Sequence, residues 1–261
     1  MIVILFYSIV LGLVTLGAVT GEPRVVSLTV LPIGVIAILF QKLLHKERIT
    51  DLGFRLCSPH QVAEGILLPT LIMAVVLACD LGLGFLEVEP LSAVPHPSDP
   101  ARLGVTLPAL SLVVVLGALI TALGAGFTEE LAFRGYLIRR LESLGALKAL
   151  ILSGVLFGAW HLPTSVFVLH AGWPIRLVYL ANISLVGFLF GHVFLQSKSL
   201  IPPSLFHGVW NALDYTFFGF GTTRGIFPGT SRILFDPDEG IVGTVVLLAA
   251  VIWTAQRYSR Q

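Results

Sequence analysis

Apolar residues run along this chain in long, nearly unbroken stretches rather than in the one-faced or alternating patterns of a soluble core. They extend from Ile2 to Thr20, Val25 to Phe40, Val62 to Phe85, Val105 to Ala125, Ala149 to Val168, Leu177 to Leu195, Leu200 to Phe220 and Ile241 to Ala255. A helix crossing the hydrocarbon core of a bilayer needs about 20 mostly apolar residues. In lipid every backbone polar group must be satisfied within its own segment, so runs of this length predict helices rather than barrel strands. The expected fold is all-α, a polytopic membrane protein of about eight transmembrane helices enclosing a polar cavity. The second and eighth runs are short for a full crossing and need flanking residues that snorkel. The first has no basic residue before Arg24 and no clear small-residue cleavage site, so it reads as a span rather than a removable signal. The Pro-rich stretch Pro90 to Pro100 and the Gly-rich stretch Gly219 to Gly229 cannot continue a helix and read as loops. Neither reads as a linker, and the chain is expected to form one integral membrane domain over residues 1–261.

Composition strengthens this picture. Hydrophobic residues make up 56% of the chain and charged residues 12%, which leaves little for a soluble domain. A formal charge of +1 offers no field to draw nucleic acid, so nucleic acid is not expected as a partner, and the lipid bilayer is. The two cysteines, Cys57 and Cys79, lack zinc or redox spacing. Lys and Arg gather after the second, fourth, sixth and eighth runs, as at Lys42, Lys46, Arg48 and Arg55, and at Arg139, Arg140 and Lys148. That asymmetry predicts cytoplasmic termini.

The chemistry sits where polar residues interrupt the runs, because an ionisable group inside a membrane segment is costly and marks a functional candidate. Thr128-Glu129-Glu130-Leu131-Ala132-Phe133-Arg134 directly continues the fourth run. On a helix Glu130 and Arg134 share a face in the favourable order for an ion pair. Glu129 lies about 100° around from Glu130 and is the freer acid, a candidate acid/base. The same segment also reads as an interfacial charged turn. His161, in Phe157-Gly158-Ala159-Trp160-His161-Leu162-Pro163, is flanked by aromatic and apolar residues within the fifth run. A lone histidine there can simply bond a backbone carbonyl. His207 and Asn211 are four apart in the seventh run and share a helical face. They serve equally as interhelical hydrogen-bonding groups or as donors to a ligand. His192 reads as structural, and Asp80 has no obvious partner: it fits either the same cavity or the closure of one end.

If Glu129, His161, His207 and Asn211 converge from three helices, they supply a carboxylate to take a proton from water, an imidazole to position it, and donors for an oxyanion. The motifs Glu129-Glu130-x-x-Phe133-Arg134, Phe157-x-x-x-His161 and His207-x-x-x-Asn211, in this order, resemble the CPBP family of CAAX proteases and bacteriocin-processing proteins, also called Abi. Leu52-Gly53-Phe54-Arg55 is similar to that family's segment after the second span. The resemblance is concentrated in residues 124–211. It implies an eight-helix intramembrane glutamic endopeptidase without a cofactor or metal. Glu129 and His161 would activate water, His207 and Asn211 would stabilise the oxyanion, and Glu130 and Arg134 would support the site. It further implies a peptide or protein substrate, prenylated in the CAAX-type members, and a bacterial or archaeal plasma membrane as the location. Two other readings stay open: a zinc-dependent intramembrane protease that uses the same two histidines and glutamate, and a non-proteolytic scaffold or transporter of the same fold.

Overall fold

The computed structural model describes residues 1–86, 107–220, 223–227 and 231–258. The stretch Pro90 to Pro100, His96 within it, and part of the Gly-rich stretch 219–229 lie outside the described residues. The helices are α1 Ile2–Ala18, α2 Pro23–Leu39, α3 Pro59–Gly82, α4 Leu107–Leu123, α5 Ala125–Glu130, α6 Arg139–Leu141, α7 Ala146–Trp160, α8 Leu162–Phe167, α9 Trp173–Ser197, α10 Ile201–Phe217, α11 Arg232–Phe235 and α12 Ile241–Ala255. The strands β1 Gly219–Phe220 and β2 Thr223–Arg224 pair antiparallel beside the end of α10. The protein is therefore an all-α polytopic membrane protein.

Each expected run meets a helix, but only some reach full crossing length. Among the described residues, five stretches are long and apolar enough to cross a membrane: Pro23–Leu44, Pro59–Gly82, Pro108–Leu144, Ala146–Phe167 and Trp173–Ser197. The helices α1 and α12 are shorter apolar helices. Proline at the first turn starts α2, α3, α9 and α10, where its missing N–H costs nothing. Ser58 caps α3 in a reciprocal box with Gln61.

Two runs that read as continuous are broken in the structure. Between α4 and α5, Gly124 takes φ −103° and ψ −115°, outside the helical region. Beyond α5 the backbone widens into a π-helix, Leu131–Ile138. The fifth run is likewise two helices, α7 and α8, with His161 at the joint. Pro163 explains this break, since proline inside a helix removes one hydrogen bond and its ring clashes with the carbonyl four residues back.

Close backbone approach sets the bundle around these breaks. The helices α7 and α9 cross where Gly154 and Gly158, spaced as a small-xxx-small pair, face Ser184 and Phe188. The helix α10 rests on α4 at Gly208, where an added Cβ would collide with the Ala118 carbonyl and come 2.8 Å from the Ala122 Cβ. Aromatic side chains fill the interior, with Phe133, Phe157, Trp160, Phe190 and Phe206 in edge and stacked contact. Because Gly208 is next to His207, Gly208→Ala is expected to push α10 off α4 and cost about 1–3 kcal/mol. A lowered apparent melting temperature in lipid, with a loss of any activity that depends on His207, is the expected reading.

Candidate active site

Glu129, at the end of α5, is 7% exposed and lines a cavity of about 210 Å³. His161 from the α7–α8 joint, His207 and Asn211 from α10 line the same cavity. The break at Gly124 and the break before Pro163 thus both lie within a turn or two of a cavity-lining polar group. Val14 of α1 and Val26 and Val30 of α2 contribute an apolar wall opposite.

The two histidines are held in different ways. His161 Nδ1 lies 2.9 Å from the Phe157 carbonyl. A carbonyl only accepts, so Nδ1 carries the proton and Nε2 is the free ring nitrogen. Its ring rests edge-on against Phe157 and Trp160, with centroids 4.7 Å and 4.9 Å away. His207 Nδ1 lies 2.9 Å from Glu130 Oε1, and its Nε2 is 3.9 Å from Glu129 Oε2. Phe190 stacks on the His207 ring at 4.8 Å. Glu129 Oε2 has no hydrogen-bond partner.

Glu130 faces away from the cavity and is fully buried with Arg134. Arg134 Nε is 3.2 Å from Glu130 Oε2, Nη1 donates to Oε1 at 3.3 Å, and Nη2 donates to the Gly187 carbonyl of α9 at 2.9 Å. The guanidinium also lies over Phe157 and Phe190, 4.3 Å and 5.0 Å from their centroids. The chain of contacts therefore runs Arg134 to Glu130 to His207, and Glu129 stands beside it with one side open. Among the described residues, no three His, Cys, Asp or Glu side chains have the arrangement to hold a metal ion.

Other polar residues resolve differently from one another. His192 is buried away from the cavity, with Nδ1 2.8 Å from the Tyr258 hydroxyl and Nε2 4.0 Å from Glu64. Asp80 is fully buried and does not line the cavity; Asp236 is the charge it senses. Reading the sequence missed a polar turn, Asp236 to Gly240, that caps this end of the bundle. Asp236 Oδ1 accepts from the N–H groups of Asp238 and Glu239 at 2.9 Å and 2.7 Å. Asn182 of α9 donates to the Pro237 and Gly240 carbonyls, and Trp210 of α10 donates to Asp238 Oδ1 at 2.9 Å. Asp238 itself lines the cavity. The available signals were Asn182 and Asp214, which interrupt the sixth and seventh runs, and three acids within four residues just before the last run.

Residues 111–213 match the Rce1-like family of type II CAAX prenyl endopeptidases. This is the family that the three motifs resemble, and the matched segment carries all of them. The match covers 103 of the 261 residues, and over that segment the chain is similar to membrane CAAX-type endopeptidases. No curated protein matches the chain.

Two outcomes are expected from these contacts. Arg134→Met leaves Glu130 buried without its cation and should cost about 3–5 kcal/mol, whereas Glu130→Gln combined with Arg134→Met should recover much of that loss. Unfolding of the three proteins in the same lipid checks it. The second concerns the turn outside the spans. Burial raises Asp236 to about 6; burial and then the Asp236 charge raise Asp238 to about 7; and burial, Asp236 and Asp238 raise Glu239 to about 8 against the opposing Arg232. Folded values above the unfolded ones, about 4, mean that the folded protein holds protons the unfolded chain has lost. Their contribution to stability is therefore greatest at acid pH and is lost as pH rises from about 4 through about 8. Melting followed across that range in wild type and in Asp236→Asn/Glu239→Gln should show the slope flattened in the variant.

Proposed function

We propose that the chain is an intramembrane endopeptidase of the glutamic type, folded as a single domain, in which Glu129 and His161 activate a water molecule. The observation that carries this reading is the pairing of a cavity-lining carboxylate with no partner on Oε2 and a histidine whose Nδ1 is tied to the backbone, leaving Nε2 free on the same cavity. Glu129 takes a proton from water while His161 Nε2 accepts the other O–H and aims the oxygen. The oxygen adds to the scissile carbonyl carbon, and the carbonyl oxygen becomes an oxyanion. Asn211 Nδ2–H and, in the imidazolium form, His207 Nε2–H donate to it. Glu130 accepts from Nδ1 and orients the ring, and Arg134 holds Glu130 in place. The tetrahedral intermediate then collapses, the C–N bond breaks, and the proton held by Glu129 passes to the leaving amine.

The cavity volume of about 210 Å³ suits a peptide segment and water rather than a folded protein, so the substrate reaches the site extended. The apolar wall from Val14, Val26 and Val30 supports a substrate carrying an apolar group, and a prenylated CAAX-type peptide fits that description.

Purified protein in lipid, given prenylated CAAX peptides and unmodified precursor peptides, tests the scheme. Glu129→Gln and His161→Ala should each lower kcat by about 10²–10⁴-fold, the range of general acid–base contributions. Asn211→Ala should lower kcat by about 10²–10³-fold with little change in KM, as expected of a donor used only in the transition state. Chelator should leave the rate unchanged. Cleavage that persists in both the Glu129 and His161 variants would rule the scheme out.

A further inference from the structure

The cavity has a second carboxylate pole that peptide hydrolysis as described does not use. Asp238 lines it from the Asp236–Gly240 turn, is only 4% exposed, and is fixed through Oδ1 by the Trp210 indole. Trp210 is three residues past His207, about 4.5 Å further along α10. Tyr179 and Tyr215 also line the cavity, and each lies within electrostatic reach of both Glu129 and Asp238.

Behind Asp238 lie further buried acids. Asp214, Asp236 and Glu239 adjoin it and are all buried. Among the described residues, the cation facing Asp214, Asp236 and Glu239 is Arg232, 3.5 Å from Glu239, and the one facing Asp238 is His207. Asp214 is fully buried, and its carboxyl faces that of Asp238, where the two can share a proton. A cation entering the cavity can replace a proton that these acids share and pair with Asp238 as the carboxylate. Among the described residues no ligand trio for a metal ion is formed. An ammonium or guanidinium needs only one or two carboxylate oxygens.

Resting on the reading of this cavity as the peptide site, we propose that Asp238 is a specificity subsite that binds a cationic side chain of the substrate, a Lys or Arg close to the scissile bond. An extended peptide advances about 3.4 Å per residue, so the distance from His207 to the Trp210–Asp238 pair corresponds to one to three residues from the bond cut. The same pole repels acidic side chains, which gives discrimination as well as attraction. Asp214 and Asp238 both lie beyond the segment 111–213 that matches the family, so this preference belongs to the part of the chain the match does not describe.

The test uses the full chain in phosphatidylcholine bilayer discs and a matched peptide series with Lys, Arg, norleucine or Glu at each of three positions on either side of the cleaved bond. One position should show kcat/KM about tenfold higher for Lys or Arg than for norleucine, with Glu lowest, and Asp238→Asn should reduce that ratio to about twofold or less. Asp238→Glu, which keeps the charge, should retain the order. A purely structural role would lower all peptides alike and leave the ratio intact, and that result overturns the proposal. A flat profile in wild type overturns it whether or not the Asp238→Asn protein folds. Anisotropy binding of the Lys and norleucine peptides separates this from failure of the protease reading. Tighter binding of the Lys peptide that is lost in Asp238→Asn, without cleavage of any peptide, would support the subsite and sink the hydrolysis; equal binding would sink the subsite. A melting temperature raised by millimolar Ca²⁺ in wild type and not in Asp238→Asn would assign the pole to a metal ion instead and overturn the proposal.

Discussion

The interior of this protein is organised around one buried guanidinium. Arg134 has no exposure, and an ion taken fully out of water destabilises the fold by several kcal/mol unless its donors are met. Glu130 accepts from Nη1 and lies within ion-pair distance of Nε, the Gly187 carbonyl accepts from Nη2, and Phe157 and Phe190 face its plane. These partners come from α5, α7 and α9, so satisfying Arg134 fixes where three helices stand. Glu130 then passes the constraint to α10 by accepting from His207. The candidate catalytic groups are thereby oriented through a side chain that touches none of the cavity.

The second organising feature is that the cavity lies beside interruptions in regular helix. Gly124 leaves the helical region just before Glu129, and α7 ends at Trp160 with His161 as its cap, two residues before Pro163. A continuous helix presents side chains in a fixed spiral, and an ideal crossing helix would bury its backbone and its polar groups against lipid or neighbours. A break frees a short length of chain to turn one group inward, and it is tolerated where the chain lines a cavity instead of meeting lipid. Tight glycine crossings at Gly154 and Gly158, and at Gly208, hold the flanking rods in place around those breaks.

How far the sequence alone discloses this depends on the kind of information each feature needs. The all-α membrane fold is written in run length and composition, and the run Ile241 to Ala255 coincides with α12 residue for residue. The ion pair of Glu130 with Arg134 follows from a four-residue spacing on one helix. The polar interruptions at Glu129, His161, His207 and Asn211 were visible as exceptions to the pattern, and the structure brings these four to one cavity. What spacing cannot convey is contact between distant segments. The Glu130 bond to His207 spans 77 positions, and the tie from Trp210 to Asp238 joins a helix to a turn that composition marks only as a loop. The breaks at Gly124 and before Pro163 were hidden by apolar residues on both sides, because hydropathy is blind to backbone geometry. Asn182 went unread for a related reason, since one amide in a long apolar run gives no hint that its partners are the carbonyls of Pro237 and Gly240.

The π-helix Leu131–Ile138 has a consequence for which changes this segment tolerates. Its wider turn sets the faces of everything after it relative to everything before it. Glu129 and Glu130 upstream face α10, while Tyr136 and Arg140 downstream meet the other end of the bundle, Tyr136 touching Phe6 and His45, and Arg140 held by Gln41 and Glu47. Lengthening or shortening the chain by one residue between Glu130 and Arg140 would swing one group of partners away from its neighbours, whatever residue was added or lost. Among descendants of this chain, the segment should accumulate exchanges of side chain while keeping its length unchanged.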